Sequence, residues 1–179
     1  MPASRILVVE DYQLLREFVC SLLKQRDALQ VVGEASDGLE AVQKAQELRP
    51  DLILLDIGLP RLNGIDAARR LRKLVPRAKI LFLSEEPSPD VVREALNLGA
   101  VGYVHKLHIQ NELLAAIELG LEGTRFVGSG LEGEFSDSTA ARAPSRHEVQ
   151  LYSNDAVFLK SFTDFAAAAL KADNPVIVI

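Results

Sequence analysis

Along this chain, short unbroken apolar runs alternate with stretches in which apolar residues recur every three or four positions, and the alternation repeats five times. The runs at 5–9, 30–35, 52–55, 79–83 and 101–104 are rich in Val, Ile and Leu and too short for helices, so they predict strands. The third, Leu52-Ile53-Leu54-Leu55, contains no polar residue, which predicts burial on both faces at the centre of a parallel sheet. The intervals 13–24, 38–48, 64–74, 89–98 and 109–122 predict helices. In the first, Leu14, Leu15, Phe18, Val19, Leu22 and Leu23 share one side, as expected of a helix packed on a sheet. Pro50 and Pro76 follow the second and third helices, Ser88 precedes Pro89 as an N-cap, and Gly99 follows the fourth. Strand then helix, five times over, defines an α/β domain at residues 1–122.

After residue 122 every period breaks. Gly123, Gly128, Ser129, Gly130, Gly133, Ser136, Ser138, Thr139 and Pro144 interrupt the pattern, which predicts a flexible linker over 123–146. A strand-like run at 147–152, a helix at about 155–171 and a final apolar run at 176–179 then predict the start of a second α/β unit. Two strands and one helix cannot bury the apolar faces they present, so this unit is expected to be truncated, with the native chain continuing past Ile179.

Composition narrows the function classes. A net charge of -5 disfavours sequence-independent nucleic-acid binding. The basic residues Arg69, Arg70, Arg72, Lys73, Arg77 and Lys79 are interleaved with Leu71, Leu74 and Val75, so they read as the solvated flank of a helix. The single cysteine, Cys20, excludes an internal disulfide and sits among apolar neighbours as a core residue. No apolar stretch approaches the ~20 residues that span a bilayer, and 6–9 is too short for a signal segment, so the expected location is the cytoplasm without a membrane partner.

The chemistry is carried by polar residues at strand ends. Glu10-Asp11 follows the first strand, where an open parallel sheet binds its ligands, although Asp11 could equally serve as the N-cap of the next helix. Asp56 follows four aliphatic residues, a costly place for a carboxylate unless it belongs to a site. Together, Glu10, Asp11 and Asp56 would repel one another. A hard divalent cation relieves that repulsion, and Mg²⁺ suits it because it takes a few carboxylate oxygens and accepts phosphate. Lys106, past the fifth strand, can pair with Asp56 and contact a phosphoryl oxygen, and Ser84 at the end of the fourth can donate to one.

This ordered set resembles the receiver domain of two-component response regulators, of the NarL/LuxR type. The stretches Leu55-Asp56-Ile57-Gly58-Leu59-Pro60, Asn63-Gly64 and Ala95-Leu96-Asn97-Leu98-Gly99-Ala100-Val101-Gly102-Tyr103 add to the resemblance, which covers residues 5–122. It implies a five-stranded, doubly wound parallel sheet in the order 2-1-3-4-5, and a phosphoacceptor signalling domain rather than an enzyme acting on other molecules. Asp56 would accept the phosphoryl group from a sensor histidine kinase, a phosphotransfer protein or a small phosphodonor. Asp11, Asp56 and the Gly58 carbonyl would hold Mg²⁺ directly, and Glu10 through water. Lys106 and Ser84 would hold the phosphoryl oxygens, Tyr103 would be the aromatic switch that turns inward, and a homodimer would form through the fourth helix, fifth strand and fifth helix. Glu85 and Glu86 depart from the family, which places a small residue after the serine. Residues 147–179 are similar to the start of a DcmR-type (MEDS) sensory domain, so a sensory or protein-interaction output is expected, with no nucleic-acid contact from this chain.

Two rival readings share parts of the pattern. An aspartate-nucleophile phosphatase places a second Asp two residues after the first, where this chain has Gly58. A flavodoxin-like nucleotide or flavin carrier needs a phosphate cradle after the first strand, where this chain has Glu10-Asp11-Tyr12-Gln13. His105 and His108 lack a third His or Cys nearby for a metal site.

Overall fold

The computed structural model describes residues 2–85 and 88–129. The predicted linker beyond residue 129 and the sensory-like stretch 147–179 lie outside the described residues.

The strands are β1 (Ser4–Val9), β2 (Leu29–Ala35), β3 (Leu52–Asp56), β4 (Lys79–Ser84), β5 (Gly102–His105) and β6 (Phe126–Val127). The helices are α1 (Gln13–Leu23), α2 (Gly38–Leu48), α3 (Gly64–Leu74), α4 (Pro89–Asn97) and α5 (Ile109–Glu122), with a 3₁₀ turn at Lys106–His108. All strand pairings are parallel, in the order β2-β1-β3-β4-β5-β6.

The unbroken apolar runs have a simple physical cause. Alternate side chains of a strand point to opposite faces, and here both faces carry helices. Leu7, Val9, Ile53, Leu55, Ile80, Phe82 and Tyr103 pack with α2, α3 and α4. Ile6, Val8, Leu52, Leu54, Leu81, Leu83 and Val104 pack with α1 and α5. In the central strands β1, β3 and β4 no inner position has room for a polar residue, so their site carboxylates and hydroxyl fall at the carboxyl ends, along one rim of the sheet.

Close backbone packing holds that rim. A Cβ on Gly64 would stand 2.0 Å from the Asp56 carbonyl oxygen, so the start of α3 lies directly against the end of β3. Asn63 caps α3 by accepting the Asp66 N–H, and the Gly64 N–H donates to the Ile57 carbonyl, so the chain after Asp56 is returned into a helix within a few residues. Asp37 caps α2 by accepting from the Leu39 and Glu40 N–H groups, and its second oxygen pairs with Arg61 at 3.0 Å. The second helix is thereby tied to the β3–α3 loop.

The sheet has one strand more than expected. Phe126 and Val127, inside the predicted linker, add to the outer edge of β5: the Phe126 N–H donates to Val101 and the Gly128 N–H to the carbonyl of Tyr103, each at 2.9 Å. Gly123 ends α5 in the left-handed conformation that favours glycine, and the chain turns back toward the sheet. Phe126 drops into the core beneath α5, and Ser129 bonds to the Glu112 carboxylate. Phe126→Ala should therefore cost about 3 kcal/mol, the scale for an aromatic ring removed from a core, measured by denaturant unfolding. A loss near zero would show that β6 is an ornament of the linker.

The basic cluster behaves as a flank. Arg69 pairs with Asp66 and Glu94, and Lys79 donates to the Gly120 and Leu121 carbonyls at the end of α5. Among the described residues no helix is long and apolar enough to cross a membrane.

Candidate functional site

Glu10, Asp11, Asp56, Ser84 and Lys106 meet at the carboxyl ends of β1, β3, β4 and β5. Glu10 and Asp56 are buried, as are Ser84 and Lys106, while Asp11 is exposed. Oxygen atoms of Glu10, Asp11 and Asp56 lie within 4.8 Å of one another. The site opens as a cleft of about 400 Å³ lined by Asp11, Asp56, Gly58, Ser84, Glu85 and Lys106, with Ser88 and Val91 from α4.

Lys106 joins the carboxylates. Its ammonium donates to Glu10 Oε1 at 3.1 Å, lies 2.9 Å from Glu10 Oε2, and is 3.1 Å from Asp56 Oδ1. Glu85 stands at 3.8 Å with its side chain largely exposed. The Tyr12 N–H donates to Glu10 Oε1, and the Gly58 N–H to Asp56 Oδ1 at 3.1 Å, so main-chain donors orient both buried carboxylates. The expected N-cap alternative for Asp11 is absent: Tyr12 occupies the cap position of α1 and no side chain caps it. The Asp11 carboxylate is left to the cluster.

The electrostatics follow from three carboxylates sharing one ammonium in a partly dry place. Burial and the charge of Asp56 push the Glu10 carboxyl up to about 7, against the opposing pull of Lys106 and the Tyr12 N–H. Burial raises Asp56 as well, with Lys106 and the Gly58 N–H acting the other way. Burial alone would favour a neutral Lys106, but its bond to Glu10 and the charges of Asp56 and Glu10 outweigh that and hold it above its ordinary value. The cluster carries more negative charge than its single cation offsets.

Tyr103 is fully buried with its ring in the core, and its hydroxyl is hydrogen-bonded to Ser84, with burial raising its pKa. The ring is thus already inward. His105 Nε2 meets the Glu85 carbonyl at 2.6 Å, which ties the end of β5 to the chain after Ser84. Sequence reasoning missed that contact. It also missed Arg16, whose guanidinium donates to the main-chain carbonyl of Glu10 at 2.6 Å. Its only signal was an arginine one helical turn after Tyr12.

These residues, on this sheet, define a class of signalling domain, and comparison with known proteins names it. The model of the response regulator receiver domain family matches residues 6–118, and the chain belongs to that family. Residues 6–118 form the receiver domain of a two-component response regulator. The response regulator GacA of Pseudomonas viridiflava is 37% identical over 126 residues, 69% of this chain and 58% of its own. The transcriptional regulatory protein DegU of Brevibacillus brevis is 33% identical over 123 residues, 69% of this chain and 52% of its own. The chain thus spans a little over half the length of these curated relatives. Among solved structures, a LuxR-family response regulator from Aurantimonas shares 34% identity and a TM-score of 0.70, covering 73% of this chain and 93% of that one. The response regulator domain of Thermotoga maritima CheB shares 34% identity and a TM-score of 0.63, over 67% and 97%. The family match sets aside the flavin-carrier and phosphatase readings.

Proposed function

We propose that Asp56 is the phosphoacceptor of this domain, and that the domain signals by Mg²⁺-dependent phosphorylation from a sensor histidine kinase or phosphotransfer protein. The observation that carries the reading is the buried Lys106 ammonium, within hydrogen-bond reach of both Glu10 and Asp56 at the edge of an open cleft. A lysine so placed is already charged and oriented by the two carboxylates, and it can turn that charge toward a phosphoryl oxygen arriving on Asp56.

The donor set fits Mg²⁺. All donors are hard oxygens, the cluster has excess negative charge, and Glu10 Oε2 has the ammonium contact but no hydrogen bond, leaving acceptor capacity for a metal-bound water. Asp11, Asp56 and the Gly58 carbonyl would hold the ion and Glu10 would act through water. The ion would neutralise charge on the transferring phosphoryl group. In the transfer, an Asp56 carboxylate oxygen bonds to phosphorus as the phosphorus–nitrogen bond of a phosphohistidine breaks, and the imidazole takes a proton from solvent. Lys106 would then move its charge toward a phosphoryl oxygen.

Ser84 is the sensor in this reading. Its hydroxyl would donate to a phosphoryl oxygen while its oxygen accepts from Tyr103, so an inward ring is compatible with the phosphorylated state. What changes is the strength and direction of the Ser84–Tyr103 bond, and through it α4 and β5. A homodimer through α4, β5 and α5 would form on a face where β6 already covers the edge of β5. Glu85 opposes an incoming phosphoryl group until its exposed side chain swings away.

The test combines uptake and response. Incubation with acetyl phosphate should add one phosphoryl mass to the chain in Mg²⁺ and none in EDTA; uptake independent of the metal would overturn the assignment. Ser84→Ala should still take up the group but lose the change in hydrogen exchange over residues 91–103 that beryllofluoride induces in the parent. A full response from Ser84→Ala would remove Ser84 as the sensor.

A further inference from the structure

The loop that carries Glu10 and Asp11 is fixed by a device outside the acidic cluster. A loop entering a helix is ordinarily secured by a side-chain cap, and a Ser, Thr, Asp or Asn at that point accepts from the first free N–H groups. Here Tyr12 occupies the cap position and makes no such bond, because the only capping-competent neighbour, Asp11, has its carboxylate in the cluster. Asp11 cannot face the cluster and cap the helix at once.

Arg16 supplies what the cap does not. From the first turn of α1 its Nη1 donates back to the Glu10 carbonyl at 2.6 Å and reaches the Asp11 carbonyl at 3.4 Å. Its Nε is held at 3.2 Å by Glu34 of β2, and the Arg16 side chain is only 17% exposed. Glu34 is itself anchored: it lies in the sheet beside Val8, and Lys44 donates to its carbonyl. From the sheet side, the Glu10 N–H donates to Ala35 at 3.0 Å. The acidic loop is therefore gripped at its N–H by β2 and at its carbonyls by a guanidinium braced on β2. Because Glu34 cancels the charge of Arg16, the pair acts on geometry more than on the field at the cluster.

We propose that Arg16, braced by Glu34, is the positioning residue of the metal site, presetting the Glu10–Asp11 main chain so that the Asp11 carboxylate meets the cation without rearrangement. The proposal rests on the Mg²⁺ reading above. Groups that orient ligands without touching the metal carry a measurable share of its affinity, and the planar fork of arginine is what lets one side chain hold Glu34 and the loop carbonyls together.

The experiment is calorimetric titration of the full chain with Mg²⁺, paired with thermal unfolding in EDTA. Arg16→Gln should weaken Mg²⁺ binding roughly tenfold. Arg16→Lys should recover part of it, since one ammonium can hold either Glu34 or the carbonyl. Glu34→Gln should weaken binding less, and the double variant should be no worse than Arg16→Gln alone, as expected for residues acting as a unit. A folded Arg16→Gln with parental Mg²⁺ affinity, or strict additivity in the cycle, would overturn the proposal. Should Arg16→Gln fail to fold, Glu34→Gln decides: it changes a half-exposed group, and parental affinity there overturns the proposal equally. A parent chain that shows no Mg²⁺ binding would sink the metal reading first, and this proposal with it.

Discussion

Asp56→Asn is expected to lose all uptake of a phosphoryl group from acetyl phosphate while remaining folded, and to be more stable than the parent in the absence of metal. The first half follows from the chemistry: an amide oxygen is a poor nucleophile toward phosphorus, and neither Glu10, tied through both oxygens to Lys106, nor exposed Asp11 sits where Asp56 does. The second half follows from the sign of the Asp56 shift. Its carboxyl is raised, chiefly by burial, so the folded state binds its proton more tightly than the unfolded chain. Such a group penalises folding above its folded-state pKa and ceases to do so below its unfolded value. The neutral amide removes that penalty, so the midpoint of thermal unfolding in EDTA at about pH 8 should rise. Mg²⁺ should stabilise the parent more than the variant, since a charged carboxylate becomes a neutral amide with a weaker oxygen for the ion. A variant that still gains phosphoryl mass would place the acceptor elsewhere. One that unfolds would mean that Asp56 has a structural role the geometry does not suggest.

The parts of this fold that could be read from residues alone are those with a physical reason to be repetitive. Both faces of the sheet are covered, so β1, β3 and β4 had to be unbroken apolar runs, and any carboxylate or hydroxyl among them had to fall at a strand end. That is why Asp56, Ser84 and Glu10-Asp11 stood out, and why the structure gathers them. β6 was hidden because two residues set no period, and Gly123, Gly128 and Ser129 around Phe126 carry the composition of a linker; its buried ring and two main-chain bonds depend on the β5 edge being free to receive it. The ambiguity of Asp11 could not be settled in one dimension, since a cap and a cluster ligand have the same residue type at the same place. Only the position of Tyr12 at the start of α1 decides it. Arg16 was equally invisible, because its role is defined by carbonyls, and carbonyls leave no mark in a sequence. The inward Tyr103 belongs to the same class: residue type gave only a packed aromatic, the family resemblance implied a switch, and its resting position is set by burial in the core shared with α4.

Lys106→Met should expose how much of the site's electrostatic strain one cation contains. In the parent, Glu10 is wholly buried, already at about 7, and Lys106 is the nearest group lowering it. Removing the ammonium deletes both of its contributions and leaves a buried carboxylate facing Asp56. Breaking a buried pair from one side costs about 3–5 kcal/mol, because the remaining charge is uncompensated. The cost must depend on pH in a definite sense. A carboxyl whose folded-state pKa lies above its unfolded value binds a proton on folding, so stability falls as pH rises from the unfolded value of 4.5, through about 7 in the parent and through a higher value in the variant. The gap between Lys106→Met and parent should then be small at about pH 5.5 and large at about pH 8, measured by denaturant unfolding in EDTA. Two rescues separate the cause from simple loss of packing. Lys106→Met with Glu10→Gln should recover most of the stability at the higher pH, since a neutral amide needs no counter-charge. Saturating Mg²⁺ should recover part of it in the single variant, by supplying positive charge to the same carboxylates. If the deficit of Lys106→Met is the same at both pH values and Glu10→Gln restores nothing, the lysine holds the fold through its aliphatic chain, and the charge balance assigned to the cluster is wrong.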